Sequence, residues 1–117
     1  DAALLDQTLL KEELMVLGEQ VYMASCAACH QPTGMGLPGV FPALKGSPIV
    51  LGDVKDHIDI VLHGKPGTAM QAFDKQLSIK QLAAVITYKR NAWGNDTGDV
   101  IQPSQIQAAI DAAAEAN

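Results

Sequence analysis

Aromatic side chains are scarce in this chain: one Trp, two Tyr and two Phe among 117 residues, although 48% of the sequence is apolar. Aromatics normally supply much of the buried area of a small core. A chain this poor in them either packs an Ala/Leu/Val helical core or leaves room for an apolar body from outside. Basic charge is short as well, with 8 Lys and Arg against 13 Asp and Glu and a net charge of −5. That balance argues against a nucleic acid partner and against direct contact with an anionic membrane surface. No apolar run approaches the length of a membrane span. The sequence opens on acidic Asp1 and shows no signal peptide. Two cysteines are too few for a disulfide scaffold. Strand-type alternation is missing throughout, so the expected class is all-α, and the length suits one domain, residues 1–117.

What is present is helical periodicity, four times over. A first helix is predicted from about Leu9 to Ala24, with Leu10, Leu14, Leu17 and Val21 on one stripe and Gly18 and Tyr22 on the next. Gly inside a helix costs about 1 kcal/mol relative to Ala, and at Gly18 it lets another helix approach closely. A second helix is predicted over about Asp53–His63, with Asp53 as N-cap and Gly64 as its stop. A third runs from about Ile79 to Trp93. Ser78 and Gln81 form its capping box, Leu77 and Leu82 its staple, and Leu82, Val85, Ile86 and Trp93 its buried face. This gives a core over about residues 9–94. After a polar connector, Pro103 opens an Ala-rich helix to about Glu115 that is expected to be peripheral. Between the first two helices, about Gln31 to Gly52, lies a non-periodic stretch rich in Gly and Pro. Its scattered apolar residues suit a loop wrapped around something apolar rather than disorder.

The chemistry sits where the first helix ends, at Cys26-Ala27-Ala28-Cys29-His30. Cys-x-x-Cys-His is the attachment signature of a c-type haem. Two thiols about one helical turn apart can each add to one haem vinyl group, and the next residue, His30, is then placed under the iron as proximal ligand. Two other uses of the cysteines compete. A thioredoxin-like redox pair needs a βαβ setting. Structural zinc needs four ligands in paired clusters, and the remaining histidines, His57 and His63, stand far along the chain.

A sixth iron ligand is sought among four methionines. Met15 and Met23 lie on the first helix, and Met35 is only five positions past His30. Met70 sits on the loop Gly67–Phe73 between two helices and can cover the opposite haem face. His57 and His63 are its rivals, with His63 placed at a helix end where a surface role fits better. A vacant sixth position would instead give an open-iron enzyme or sensor, against which Met70 argues. A ligating His usually donates its second N–H to an acceptor, and the carbonyl of Pro42 is the candidate.

Together these residues resemble the class I cytochrome c family over roughly residues 13–93. Gly18, Tyr22 and Cys26 follow the family spacing of four and four. Pro42 stands twelve after His30, Leu44 matches a Leu packed on the haem, and Val85 and Tyr88 match the helix that crosses Gly18 and Tyr22. The resemblance implies helices packed around one haem c, covalent through Cys26 and Cys29, with iron held by His30 and Met70. Three stretches, Phe41 to Pro48, Gly64 to Phe73 and Ala84 to Asn95, are similar to the cytochrome c domain at the C-terminus of subunit II in caa3-type cytochrome c oxidases. That narrower resemblance implies an electron-transfer module rather than an enzyme in itself, cut or processed from a membrane-anchored oxidase chain. It would work on the periplasmic side of the bacterial inner membrane. Electrons would come from an upstream cytochrome c or quinol-cytochrome c reductase and pass to the dinuclear copper centre of the same subunit. A free, diffusible periplasmic cytochrome is the alternative.

Overall fold

The computed structural model describes residues 8–116, and the ends of the expected domain span, residues 1–7 and 117, lie outside the described residues. The described chain is helical, with no strand and one isolated bridge between Leu37 and Phe41. Its helices are α1 (Lys11–Ser25), α2 (Ala27–His30), α3 (Pro48–Leu51), α4 (Val54–His63), α5 (Ile79–Asn91) and α6 (Pro103–Ala116). The all-α class expected from the periodicity is the class observed.

The crossing of α1 and α5 organises the core. Helix α1 carries Glu12 and Glu13 in its first turn, where carboxylates meet the positive end of the helix dipole. It buries Leu14, Gly18, Val21 and Tyr22. The expected stripe therefore shifts: Leu17 is half-buried, and Leu10, the residue before the helix, is 62% exposed. The centre of the stripe is Gly18, where α5 crosses. A Cβ there would run into the Ala84 carbonyl oxygen and come within 2.6 Å of the Tyr88 Cβ. Around this point Tyr22, Tyr88 and Trp93 pack as a trio, with ring centroids 4.9 Å apart for Tyr22–Trp93, 5.5 Å for Tyr88–Trp93 and 5.6 Å for Tyr22–Tyr88.

Helix α5 opens with the expected capping box, Ser78 Oγ accepting from Gln81 N–H and Gln81 Oε1 from Ser78 N–H. Its burial exceeds the expected face, because every residue from 82 to 90 is buried. It is wrapped by α1, α3, α4 and α6. Its end falls short of the predicted Trp93. Asn91 Nδ2 donates back to the Thr87 carbonyl and across to the Asp99 carbonyl, both at 2.9 Å, and Trp93 takes a positive φ of 58°.

Arg90, in the last turn of α5, is 2% exposed. Its guanidinium donates to the carbonyls of Val50 (2.8 Å) and Gly52 (2.7 Å) and to the Asp99 carboxylate (2.7 and 3.1 Å). It thereby ties α5 to α3 and to the connector that follows. The Gly/Pro-rich stretch, read as wholly non-periodic, holds one helical turn, α3. Ser47 caps it through Ile49 N–H and Val50 N–H, and Pro48 occupies the first helical position.

Helix α6 was expected to be peripheral. Its opening turn instead joins the core, with Ile106 at 0% exposure and Pro103 fully buried, while Ser104, Gln105 and Ala108 face outward. Just before it, Gln102 clasps the backbone of Leu9, accepting from its N–H at 2.8 Å and donating to its carbonyl at 3.1 Å. Leu9 is buried, and the contact ties the start of the described chain to the connector before α6.

Candidate functional site: an apolar cleft around Cys26, Cys29 and His30

Helix α1 stops at Cys26, whose backbone (φ −122°) breaks the helix while its N–H still bonds to the Tyr22 carbonyl at 2.8 Å. One turn, α2, follows, closed by His30 N–H on the Cys26 carbonyl at 3.0 Å. That turn brings the two cysteines and the histidine together. Ala27 is buried beneath it, and both thiols are free and half-buried. Beyond His30 the chain reverses at Gln31, where φ is +69°. The Tyr22 hydroxyl fixes that reversal by donating to the Gln31 carbonyl at 2.6 Å.

The reversal carries the Gly/Pro-rich loop back over α2. Gly36 N–H bonds to the His30 carbonyl at 2.9 Å, and Leu44 N–H to the Gly34 carbonyl at 2.7 Å. At Gly36 (φ +66°) a Cβ would come within 2.6 Å of the Pro42 carbonyl, so only glycine allows this approach. The result places the Pro42 carbonyl oxygen 2.9 Å from His30 Nδ1. A carbonyl can only accept, so Nδ1 carries the proton and Nε2 keeps its lone pair.

Met70 reaches the same cleft from α4. Gly64, at φ +71°, ends α4 and lies so close under the returning loop that a Cβ would meet the Met70 carbonyl at 2.6 Å. Lys65 N–H donates to that carbonyl at 3.0 Å, and Phe73 N–H donates to the Val61 carbonyl at 3.0 Å. The loop is thus closed on itself at Met70 and tied back to α4 at Phe73, and Met70 is half-buried.

These elements enclose a cavity of about 350 Å³. Cys26, Cys29, His30, Pro42, Leu44 and Met70, the six site residues expected from sequence, all line it. His57 and Lys89 line it too, whereas His63 is exposed. Lys45, Lys65 and Lys75 are exposed, and Lys65 stands at the cleft wall. Lys89 drew no attention in the sequence because a basic residue in the last turn of a helix is an ordinary surface feature. Its 4% exposure follows from α5 being buried all round.

The electrostatics suit neutral, soft ligands. Burial pushes the Cys26 thiol up, against a smaller pull from Lys89. A reactive redox-pair cysteine has a lowered value, so this environment and the lack of a strand among the described residues disfavour the thioredoxin-like use. Burial lowers His30, Lys89 adds to that, and the Pro42 carbonyl opposes it. The imidazole therefore stays neutral, as a metal ligand must. His57 is driven by burial, Lys89 and Arg90 down to about 2. Arg90 Nη1 donates to His57 Nδ1 at 3.4 Å, which leaves the proton on Nε2. A protonated Nε2 has no lone pair to offer a metal. Two thiols, one neutral imidazole nitrogen and one thioether around an apolar cavity are a donor set that fits haem c.

A family model described as "Cytochrome C oxidase, cbb3-type, subunit III" matches residues 14–88. The chain is 32% identical over 100 residues to the cytochrome c subunit of an alcohol dehydrogenase (quinone) from Gluconobacter oxydans (strain 621H), a match covering 77% of this chain and 21% of that one. It is 37% identical over 89 residues to a gluconate 2-dehydrogenase cytochrome c subunit from Pantoea cypripedii, covering 67% and 20%. Cytochrome c-552 of Thermus thermophilus is 34% identical over 92 residues, covering 67% and 69%. The chain thus spans about a fifth of the length of the dehydrogenase subunits it matches and most of the length of cytochrome c-552. With the helical fold and the paired cysteines, these matches make the chain a member of that cytochrome c family: a class I, all-α electron-transfer module whose cofactor is one covalent haem c.

Proposed function

We propose that Cys26 and Cys29 hold the haem through thioether bonds, that His30 and Met70 are its axial ligands, and that Leu44 packs on the porphyrin. The contact of 2.9 Å between His30 Nδ1 and the Pro42 carbonyl carries this reading. It leaves the Nε2 lone pair available to a metal and raises the basicity of the ligand. The haem, when bound, supplies a one-electron Fe(II)/Fe(III) couple. The chain holds both ligands in place through the couple, so little reorganises. The Met70 thioether favours the reduced state, and the apolar cleft keeps water from the metal.

Replacing Met70 with Ala tests the ligand set. We expect loss of the iron–thioether absorption band and a large fall in reduction potential, with covalent haem retained. An unchanged spectrum and potential would remove Met70 from the site.

The partner we propose is the dinuclear copper centre of a caa3-type oxidase subunit II, with this chain as its haem domain on the periplasmic side. The stretches Phe41 to Pro48, Gly64 to Phe73 and Ala84 to Asn95 support it. The matches to about a fifth of two dehydrogenase cytochrome c subunits fit a haem domain within a longer chain without favouring an oxidase. The coverage of cytochrome c-552 favours a second reading, a diffusible carrier. Haem staining of fractionated source cells separates them. A membrane-bound, copper-containing band far larger than 12.3 kDa supports the oxidase reading. A free band near that mass supports the carrier. A large band without copper points to a dehydrogenase-type chain.

A further inference from the structure

The backbone turns sharply just after α5. Trp93 (φ 58°) and Gly94 (φ 94°) both lie in the left-handed region, which is costly for a side chain as bulky as Trp93. Such strain persists where the surroundings hold it, and here two side chains do so. Trp93 Nε1–H donates to the Pro32 carbonyl at 2.9 Å. Its ring lies on Gly34, where a Cβ would come within 2.5 Å of it. Asn95, 5% exposed, reaches the other end of the same loop. Its Oδ1 accepts from Gly46 N–H at 2.9 Å, and its Nδ2 donates to the carbonyls of Leu44 (3.2 Å) and Lys89 (2.9 Å). Residues 93–95 thus grip residues 32–34 and 44–46 and tie them to the last turn of α5. His30 apart, no other side chain from outside residues 32–46 hydrogen-bonds to them among the described residues.

Between its gripped ends the loop is laced in rungs. Leu44 N–H and Lys45 N–H bond to the Gly34 carbonyl at 2.7 and 3.0 Å, and Leu37 and Phe41 exchange both backbone bonds at 2.9 and 2.8 Å. Between these rungs Gly36 lies against Pro42 and bonds back to the His30 carbonyl. The Pro42 carbonyl therefore belongs to a frame whose base is held by Trp93 and Asn95. We propose that Trp93 and Asn95 are positioning residues for His30: by clamping the base of the loop they keep the Pro42 carbonyl on His30 Nδ1–H, and so keep Nε2 as the lone-pair nitrogen. The strained turn at Trp93 and Gly94 is what lets two side chains so close in sequence grip both ends of the loop. This inference rests on the reading of His30 as axial ligand.

The test uses the haem-loaded protein in its reduced, diamagnetic state. Hydrogen–deuterium exchange is followed by NMR at His30 Nδ1–H and Gly36 N–H. Phe73 N–H, bonded to the Val61 carbonyl on the Met70 side of the cleft, is the reference. Asn95→Ala removes all three Asn95 bonds, and exchange at Nδ1–H and Gly36 N–H is expected to speed up about tenfold or more while Phe73 N–H keeps its rate. Trp93→Phe keeps a ring on Gly34 but loses the Nε1 donor, and the same selective pattern is expected at smaller size. If Asn95→Ala does not accumulate, Trp93→Phe carries the test. Exchange that is unchanged at Nδ1–H, or that speeds up equally at Phe73, overturns the clamp, because a general loss of stability would not single out the His30 side. The wild type tests the reading beneath. If its His30 shows no slowly exchanging Nδ1–H, the ligand reading fails and the clamp fails with it.

Discussion

At Tyr22 one phenol hydroxyl holds the chain reversal that follows His30, through its 2.6 Å bond to the Gln31 carbonyl. Burial, with smaller contributions from Cys26 and Tyr88, pushes this phenol well above its ordinary value of 10. The sign of the linkage follows. The unfolded chain ionises its tyrosine near pH 10 while the folded one keeps the proton, so stability present below pH 10 is lost as pH rises above it. Urea unfolding at several pH values should show that decline, and Tyr22→Phe should reduce it to the part that the buried Tyr88 phenol, also raised, contributes. The same variant should lose about 1 kcal/mol at neutral pH for the missing bond. Gly18 makes a different point. Its spacing with Tyr22 and Cys26 was visible in the sequence, and so was the idea of a close helix approach. A methyl at that position meets a backbone carbonyl that cannot step aside, so Gly18→Ala should cost about 1–3 kcal/mol by overpacking, read from the shift in denaturation midpoint at constant slope.

Helices α4, α5 and α6 were legible because each carries its own local signal: Asp53, which caps α4 at Lys55 N–H, the Ser78–Gln81 box, and Pro103 at the start of α6. Helix α1, which has no side-chain cap, was legible from its apolar period alone. Their faces were less legible. Burial of residues 82–90 on all sides of α5 depends on what the rest of the chain lays against it, and periodicity in one helix holds no record of that. Arg90 and Lys89 look like surface residues until those neighbours are present. Helix α3 was missed because one turn is too short to show a period, although Ser47 followed by Pro48 is a helix-start signal. The cleft itself was readable as far as spacing goes: Cys26, Cys29, His30, Pro42, Leu44 and Met70 line one cavity. His57 could be named only as a rival ligand, since its tautomer is set by a residue in another helix. For α6 the buried first turn gives a clear expectation. Ile106→Ala should cost about 2–5 kcal/mol, measured by thermal or denaturant unfolding. A peripheral helix would lose no more than about 0.5 kcal/mol.

For the whole molecule, net charge and local charge point different ways. The chain carries −5 overall, yet Lys45, Lys65 and Lys75 stand exposed in or beside the loops that form the cleft. The cleft wall also carries exposed apolar side chains: Val40 and Ile49, which line it with Lys65, are 63% and 45% exposed. Docking through such a mixed patch gains little from long-range steering. The bimolecular electron-transfer rate with a redox partner should therefore change only a few-fold between low and physiological salt, in stopped-flow measurements. A steep decline would mean that charge pairs rather than the apolar patch make the contact.

The α1–α5 crossing also sets an order of events. Gly18 and Ala84 meet in space but lie far apart along the chain, and α1 has nothing to bury its apolar stripe against until residues 79–91 exist. While the chain is being made or moved from the N-terminal end, Cys26 and Cys29 hang at the edge of a helix that has not yet docked. Haem attachment is thus expected to be easiest after the thiols emerge and before α5 docks. A variant that slows this docking should lengthen the time in which the thiols can still be reached.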